Sequence, residues 1–582
     1  MYILGINAYH GDSSACLIHD GCIVAAAEEE RFRRIKHWAG FPSRAICYCL
    51  AEAGIEPAWI DHVAVNSDPN ANLLRRVVHV LASRPDPRLL LDRLRNRRQR
   101  SSVAAELGRL PGAAFRGSVH CVEHHLAHLA SCFLVSQFEQ AAVVSVDGFG
   151  DFSSGAWGVG QGRNIHIQGR VFFPHSLGIF YQALTQYLGF PHYGDEYKVM
   201  GLAPYGRPTF LDRMRDIVRL HGNGSYELNL RYFRHHREYV SYQWNEGAPH
   251  VGDLFSPALE ELLGRRRAPD NPLEDRHRDI ACSTQVMYEE AFFNLLNVLH
   301  ARTTLTDLAL AGGCAMNSVA NGKVRRMTPF RRLYIQSAAG DAGGAIGAAF
   351  ALWHRLGGPR SFVMDHAYWG PQFDAEAIKT LIAERKSEIA TADCMIETIS
   401  DLSELCRRTA SAIANGKVIG WFQGRMEWGP RALGNRSILG DPRRPDMKNI
   451  LNSTIKRRES FRPFAPSVLE DHVAEWFEEN DQVPFMMQVF QVRSSKRPLI
   501  PAVTHVDGSG RLQTVSACTN PLYYQLIDAF RGLTGVPMLL NTSFNENEPV
   551  VCAPREALDC FLRTKMHMLV MGNTILHRTN KA

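Results

Sequence analysis

The stretch Glu123-His124-His125-Leu126-Ala127-His128 spaces two imidazoles four residues apart. On a helix, His124 and His128 share one face and His125 points about 100° away. Two imidazoles so placed can bind one divalent metal, which needs further ligands. Asp147 in VDGFGD (146–151) and Asp341 in SAAGDAGGA (337–345) are candidates. A set of two histidines and two aspartates is harder than a thiolate site and suits iron(II), zinc or manganese. The bland alternative is a pair of satisfied histidines. The aspartates stand in glycine loops at strand ends, and that context favours the metal.

A second chemistry lies near the other end. GRMEWGPRALGNRS (424–437) and IKRRESFRPFAP (455–466) are dense in cations among glycines, aromatics and prolines. Arg425, Arg431, Arg436, Lys456, Arg458 and Arg462 are embedded in apolar, turn-forming sequence. Guanidinium groups held this way present rigid forks to phosphate or carboxylate. Glu427 and Glu459 are placed to orient them, and LNTSFNENEP (540–549) adds hydroxyl and amide groups in a tight loop. A buried structural ion-pair network is the competing reading.

The elements that must carry these groups alternate strand and helix. Apolar runs predict strands at Tyr2–Ile6, Ala15–Ile18, Ile23–Ala27, Ala141–Val146 and Leu308–Ala311. Helices are expected at Pro42–Gly54, over the histidines, and at Gly343–Leu356. Three loops, GINAYHGDSSA (5–15), VDGFGD (146–151) and AGGCAMN (311–317), each follow a strand. Their glycines let backbone N–H groups approach phosphate. Three in this order resemble the two-lobed actin, sugar-kinase and heat-shock ATPase fold. Residues 357–374 read as a linker between a domain at 1–356 and one at 375–582, where strands at 418–422 and 537–541 and a helix at Pro554–Leu562 are expected.

Composition narrows the class. The chain has 582 residues, 45% of them hydrophobic, and a net charge of +6, which fits a soluble multidomain protein. No apolar run suggests a membrane span and the N-terminus does not read as a secretory signal, so a cytoplasmic protein is expected. The 13 cysteines form no CxxC pair, and reduced thiols are expected rather than a disulfide framework. One helical insertion at 70–115 is locally basic, through Arg75, Arg76, Arg84, Arg88, Arg93, Arg95, Arg97, Arg98 and Arg100. It reads as a solvated face or as a rim attracting an acidic acceptor.

Taken together, HGDSSA, AAAEEERF, EHHLAH, VDGFGD, EYKVMGLAPYG, GGCAMN, GDAGGAIG, EWGPRALGNRSIL, KRRESFRPFAP and LNTSFN resemble the NodU/CmcH O-carbamoyltransferase family of nodulation-factor and antibiotic biosynthesis. The resemblance implies an N-terminal actin-like domain similar to the tRNA threonylcarbamoyl-transfer protein and a C-terminal YrdC-like α/β domain. It implies His124, His128, Asp147 and Asp341 as metal ligands and His10 as the histidine of the transfer site. Gly312, Gly313 and Asn317 would hold the adenylate, and the loop VDGFGD adds Gly148 to that expected set. Arg431, Lys456, Arg458, Ser543 and Asn545 would hold carbamoyl phosphate and nucleotide, with Arg431, Lys456 and Arg458 acting in catalysis, and the cation-rich segments themselves add Arg436 and Arg462 to that expected pocket.

The implied reaction uses carbamoyl phosphate and ATP with Mg2+ to make carbamoyl-adenylate, then carbamoylates a hydroxyl of a small-molecule acceptor. One divalent transition metal is expected, iron(II) foremost. Nucleic acid and membrane are not expected partners; a homodimer is the assembly considered. The competing functions are a tRNA threonylcarbamoyl transferase, and a non-catalytic nucleotide-regulated interaction module that would have no use for the C-terminal cations.

Overall fold

A computed structural model describes residues 1–83, 103–238, 240, 242–244 and 247–579. The chain divides into two compact units, Met1–Met364 and Asp365–Ala582. The arginines at 84–100 lie outside the described residues. Before them, Leu73–Ser83 is helical, as expected of that insertion.

The first unit holds two five-stranded sheets of one plan. In the first, Cys22–Glu28, Ser14–His19 and Tyr2–Asn7 pair antiparallel, and His62–Val65 and Ser118–Cys121 continue in parallel. In the second, Asn164–Phe172, Ser153–Gln161 and Gln140–Gly150 pair antiparallel, and Asp307–Ala311 and Arg332–Ile335 continue in parallel. Order and direction repeat strand for strand. This duplicated sheet is the two-lobed actin and sugar-kinase architecture expected from the three glycine loops.

Small residues hold the two lobes close. The helix Gly344–Arg355 runs against the histidine helix His124–Phe133 and against the strand Tyr2–Asn7. A Cβ on Gly347 would lie 1.7 Å from the Ala127 carbonyl oxygen, and one on Gly5 would lie 1.9 Å from that of Ala345. Backbones meet directly at both places, which brings Asp341, just before this helix, beside His124 and His128.

The second unit is one nine-stranded mixed sheet. Its order is Cys394–Thr398, Thr574–Arg578, Met568–Met571, Ile419–Phe422, Arg436–Gly440, Met538–Ser543, Ala465–Leu469, Ser509–Val515 and Gln488–Gln491. The helices Leu402–Ala414, Pro521–Thr534 and Pro554–Arg563 contribute buried apolar residues to its core, among them Leu405, Ile413, Leu526, Phe530, Leu558 and Phe561. No helix among the described residues is long and apolar enough to cross a membrane.

Candidate functional site

The first centre is built on the N-terminal turn of the histidine helix. Glu123 caps it, accepting the Leu126 N–H at 2.9 Å. Arg170 grips the same carboxylate with both guanidinium nitrogens at 2.8 and 2.9 Å. Burial opposes that charge, but Arg170 outweighs it and holds the Glu123 carboxyl down at about 2. Asp151 accepts the His124 N–H at 2.9 Å and also the Asp68 N–H at 2.7 Å. The helix start is thereby fixed before any ligand is considered.

From it, His124 Nε2 and His128 Nε2 converge to 3.1 Å. Asp147 Oδ2 stands 3.1 and 3.3 Å from them, and Asp341 Oδ1 stands 3.6 and 3.5 Å from them. Ligands about 2.1 Å from a common cation in a tetrahedron are separated by about 3.4 Å. The five distances scatter about that edge length, and all four side chains are buried or nearly so. The four residues therefore fit one divalent metal. Burial and its neighbour Asp147 push the Asp341 carboxyl up, while Asp147 is held low by the imidazoles despite burial. Burial pulls His128 down, yet the two carboxylates push it up to about 9. A cation at the centre would satisfy both carboxylates together. His125 takes no part: its Nδ1 meets the Ser145 hydroxyl at 2.9 Å, and burial lowers it to about 3.

Around this pocket the other expected residues assemble unevenly. The His10 ring lies 5.9 Å, centre to centre, from that of His124. Asp147 Oδ1 accepts the Gly313 N–H at 2.8 Å, so the AGGCAMN loop is tied to the same carboxylate. Gly312 has φ 89°, and a Cβ there would lie 2.3 Å from the Val146 carbonyl oxygen. Gly148 has open space in front of it. Asn317 caps the helix Ser318–Met327 through Ala320 N–H at 3.1 Å and exchanges hydrogen bonds with Gln285 at 2.9 and 3.1 Å. Gln285 continues to Glu289 at 2.9 Å, which Lys323 neutralises at 2.7 Å.

Gly150 marks how tightly the first centre is packed. A Cβ on it would lie 2.0 Å from His124 Cδ2. Gly150→Ala is expected to displace that ring and weaken metal binding about 10- to 100-fold. Metal titration of the purified variant measures this, and unchanged affinity would remove His124 from the ligand set.

The second centre lies in the other unit. Arg511 projects from the strand Ser509–Val515. Loss of water holds its guanidinium well below the usual arginine range, and Arg431, Arg458 and Arg462 add to the depression. Arg458 is steered by Asn452 Oδ1 at 2.8 Å and lies 4.7 Å from the Phe464 ring centre. Lys456 is buried and donates to Asn545 Oδ1 at 2.7 Å and to the Ser543 hydroxyl at 3.3 Å. The segments 455–466 and 540–549 therefore meet at the Lys456 ammonium.

Two expectations need correction here. Arg436 is fully buried and spends its guanidinium on carbonyls, with Gln423 at 2.6 Å, Pro371 at 2.9 Å and Asn435 at 3.1 Å, over the Phe422 ring. It braces the fold and does not face an anion. Glu427 orients no arginine side chain: Oε1 accepts the N–H groups of Leu433, Asn435 and Arg436 at 2.7, 2.9 and 3.1 Å. It shapes the loop that carries Arg431. Glu459 does reach an arginine, Arg462, at 3.7 Å.

Residues 2–350 match the family described as carbamoyltransferase N-terminus, and residues 410–578 match carbamoyltransferase C-terminus. The chain belongs to the carbamoyltransferase family. The Synechocystis sp. protein sll1178 is 41% identical, covering 99% of this chain and 97% of its own length. Nodulation protein NolNO of Sinorhizobium fredii is 39% identical over 98% of this chain and 80% of its own. Nodulation protein NolO of Bradyrhizobium diazoefficiens is 42% identical over 78% and 79%. This carbamoyltransferase is thus an enzyme, transferring a carbamoyl group from carbamoyl phosphate, with ATP, to a small-molecule hydroxyl.

Sequence reasoning about the carbamoyltransferase missed Arg511, because a lone cation inside SGRLQTV has no cluster around it in sequence. Its partners come from two segments about fifty and eighty residues away, and only the sheet joins them. Gln285, Glu289 and Lys323 were missed for the same reason.

Proposed function

We propose that the enzyme works in two half-reactions, one in each compact unit. What carries the reading is the presence of two unlike centres: an arginine pocket around Arg511 in one unit and a histidine–aspartate pocket in the other. In the second unit, which we read as YrdC-like, Arg431, Arg458, Arg462 and Arg511 bind the phosphate of carbamoyl phosphate. Lys456, Ser543 and Asn545 hold the nucleotide, with Mg2+ as its counter-ion. Water cleaves carbamoyl phosphate to carbamate and phosphate. A carbamate oxygen then attacks the α-phosphorus of ATP, and pyrophosphate leaves.

In the first unit the carbamoyl-adenylate rests against Gly148, Gly312 and Gly313, with Asn317 and Gln285 shaping that wall. His124, His128, Asp147 and Asp341 would hold a divalent metal, iron(II) by preference, which supplies Lewis-acid stabilisation of charge on the departing phosphate. His10 takes the proton of the acceptor hydroxyl as its oxygen attacks the carbamoyl carbon. The C–O bond to phosphate breaks and AMP leaves. Enclosure protects an anhydride that water would destroy. The acceptor is a natural-product or sugar intermediate.

Incubation of the enzyme with ATP and carbamoyl phosphate, without acceptor, is expected to give the mass of carbamoyl-adenylate. Its absence from an enzyme that still carbamoylates would mean direct transfer, and the two-step scheme would be wrong.

A further inference from the structure

His10 is delivered by a loop that its own backbone does not favour. Tyr9 and Asp12, on either side of it, have φ of 61° and 57°, and His37, facing Asp12, has 53°. All three stand in the left-handed region that crowds a Cβ. Such conformations persist where their surroundings over-determine them, and they gather at sites whose geometry matters.

The surroundings can be named. Asn7 Nδ2 donates to the carbonyls of Gly11 and Asp12 at 3.2 and 2.9 Å. The Ser13 hydroxyl donates to the His10 carbonyl at 3.0 Å, and Tyr9 N–H to the Gly40 carbonyl at 2.9 Å. One tie joins side chains of opposite charge: His37 Nδ1 lies 2.8 Å from Asp12 Oδ1. His37 is anchored in turn, its backbone N–H on Glu30 Oε2 at 2.7 Å, with Glu30 Oε1 on Arg31 at 2.6 Å. The Tyr193 ring stands edge-on to His37, 5.5 Å between centres, and occupies the space in front of Gly11. Burial and Lys36 favour a neutral His37, but Asp12 and Glu30 overcome them and push it up to about 9. His37 is therefore a cation at neutral pH.

We infer that the Asp12–His37 ion pair is a positioning device: it locks Asp12 in the left-handed conformation and so keeps the His10 ring against the His124–His128–Asp147–Asp341 pocket. Its catalytic meaning rests on His10 acting in transfer, as proposed above; its geometric content does not. Asp12 and His37 act through His10. They are committed to each other and to Glu30 and Arg31.

Position decides the inference, and paramagnetic broadening reads position. In full-length protein with 13C-labelled histidine, the His10 signal is assigned in the zinc-loaded form by its absence from His10→Gln. Replacing zinc with manganese is expected to broaden it away in the wild type. Asp12→Gly accepts the same backbone without the carboxylate; it is expected to keep its manganese content and melting temperature but to lose the broadening of His10. Transfer should then fall by at least about a hundredfold, since a ring that has left the pocket is displaced by more than the roughly 1 Å that already costs that much. Asp12→Asn tolerates positive φ and keeps an acceptor for His37; it is expected to retain the broadening.

A His10 signal that survives manganese in the wild type, or one as broad in Asp12→Gly as in the wild type, overturns the inference. Should Asp12→Gly not fold, His37→Gln is read in the same way. Unchanged transfer in His10→Gln would overturn the role given to His10 while the spectra still decide the positioning.

Discussion

His128→Ala is expected to lower acceptor carbamoylation by about a thousandfold, the scale of losing a stabiliser of transition-state charge. Over the same range of substrate, ATP–pyrophosphate exchange dependent on carbamoyl phosphate should stay within about twofold, because no reacting atom of that step is touched. His128 is buried on the same helix face as His124. Removing it leaves Asp147 and Asp341 facing each other with one imidazole between them. Two carboxylates so close cannot both stay ionised without a cation, so metal affinity falls and Asp341 takes up a proton. Chelation of the wild-type enzyme should reproduce the same split. Restoring iron(II), zinc or manganese singly would then show which metal supports transfer. Parallel loss of exchange and transfer would end the division into two half-reactions.

The split can be designed because much of the first unit was legible in the sequence. The strand expected at Leu308–Ala311 is Asp307–Ala311, the helix expected at Pro42–Gly54 is Ser43–Ala53, and that expected at Gly343–Leu356 is Gly344–Arg355. Each has an apolar pattern of one period closed by a glycine or proline, so local sequence and burial agree. The strand at Ala141–Val146 runs longer, Gln140–Gly150, with its register shifting between Val146 and Gly150. A glycine-rich run reads as a turn, yet here its backbone still pairs with the neighbouring strand. The 29-residue helix Asp275–Thr303 escaped because residues all round it are buried, Ile280, Thr284, Tyr288 and Phe293 among them. With no single apolar face it has no helical period to read.

The site was legible where chemistry repeats at short range. His124 and His128 needed only helical spacing. Arg436 shows where that reasoning ends: an arginine aimed at carbonyl oxygens and one aimed at a phosphate occupy the same kind of sequence. The difference is made by Pro371, Gln423 and Cys552, which come from three separate segments and become neighbours only when the sheet forms.

Arg511→Gln separates these two uses of arginine by the sign of a stability change. Loss of water depresses Arg511, and the charges of Arg431, Arg458 and Arg462 add to it. A cation whose folded-state pKa lies below its unfolded value makes the protonated folded state less stable, so removing the charge relieves the cost of desolvation and the repulsion together. The ligand-free variant is therefore expected to melt slightly higher, by about 2 °C, corresponding to less than ~1 kcal/mol in a unit of this size. Phosphate, which stabilises the wild type by binding the pocket, should stabilise the variant far less. Each charge-assisted hydrogen bond contributes roughly 1.5–3 kcal/mol, so formation of carbamoyl-adenylate should fall about 10- to 100-fold, with carbamoylation falling in step. Arg436→Gln is the contrast: it strips buried carbonyls of their donors, and the protein should melt lower. If Arg511→Gln also melted lower and responded to phosphate as the wild type does, Arg511 would be a structural arginine like Arg436, and the anion would have to bind elsewhere.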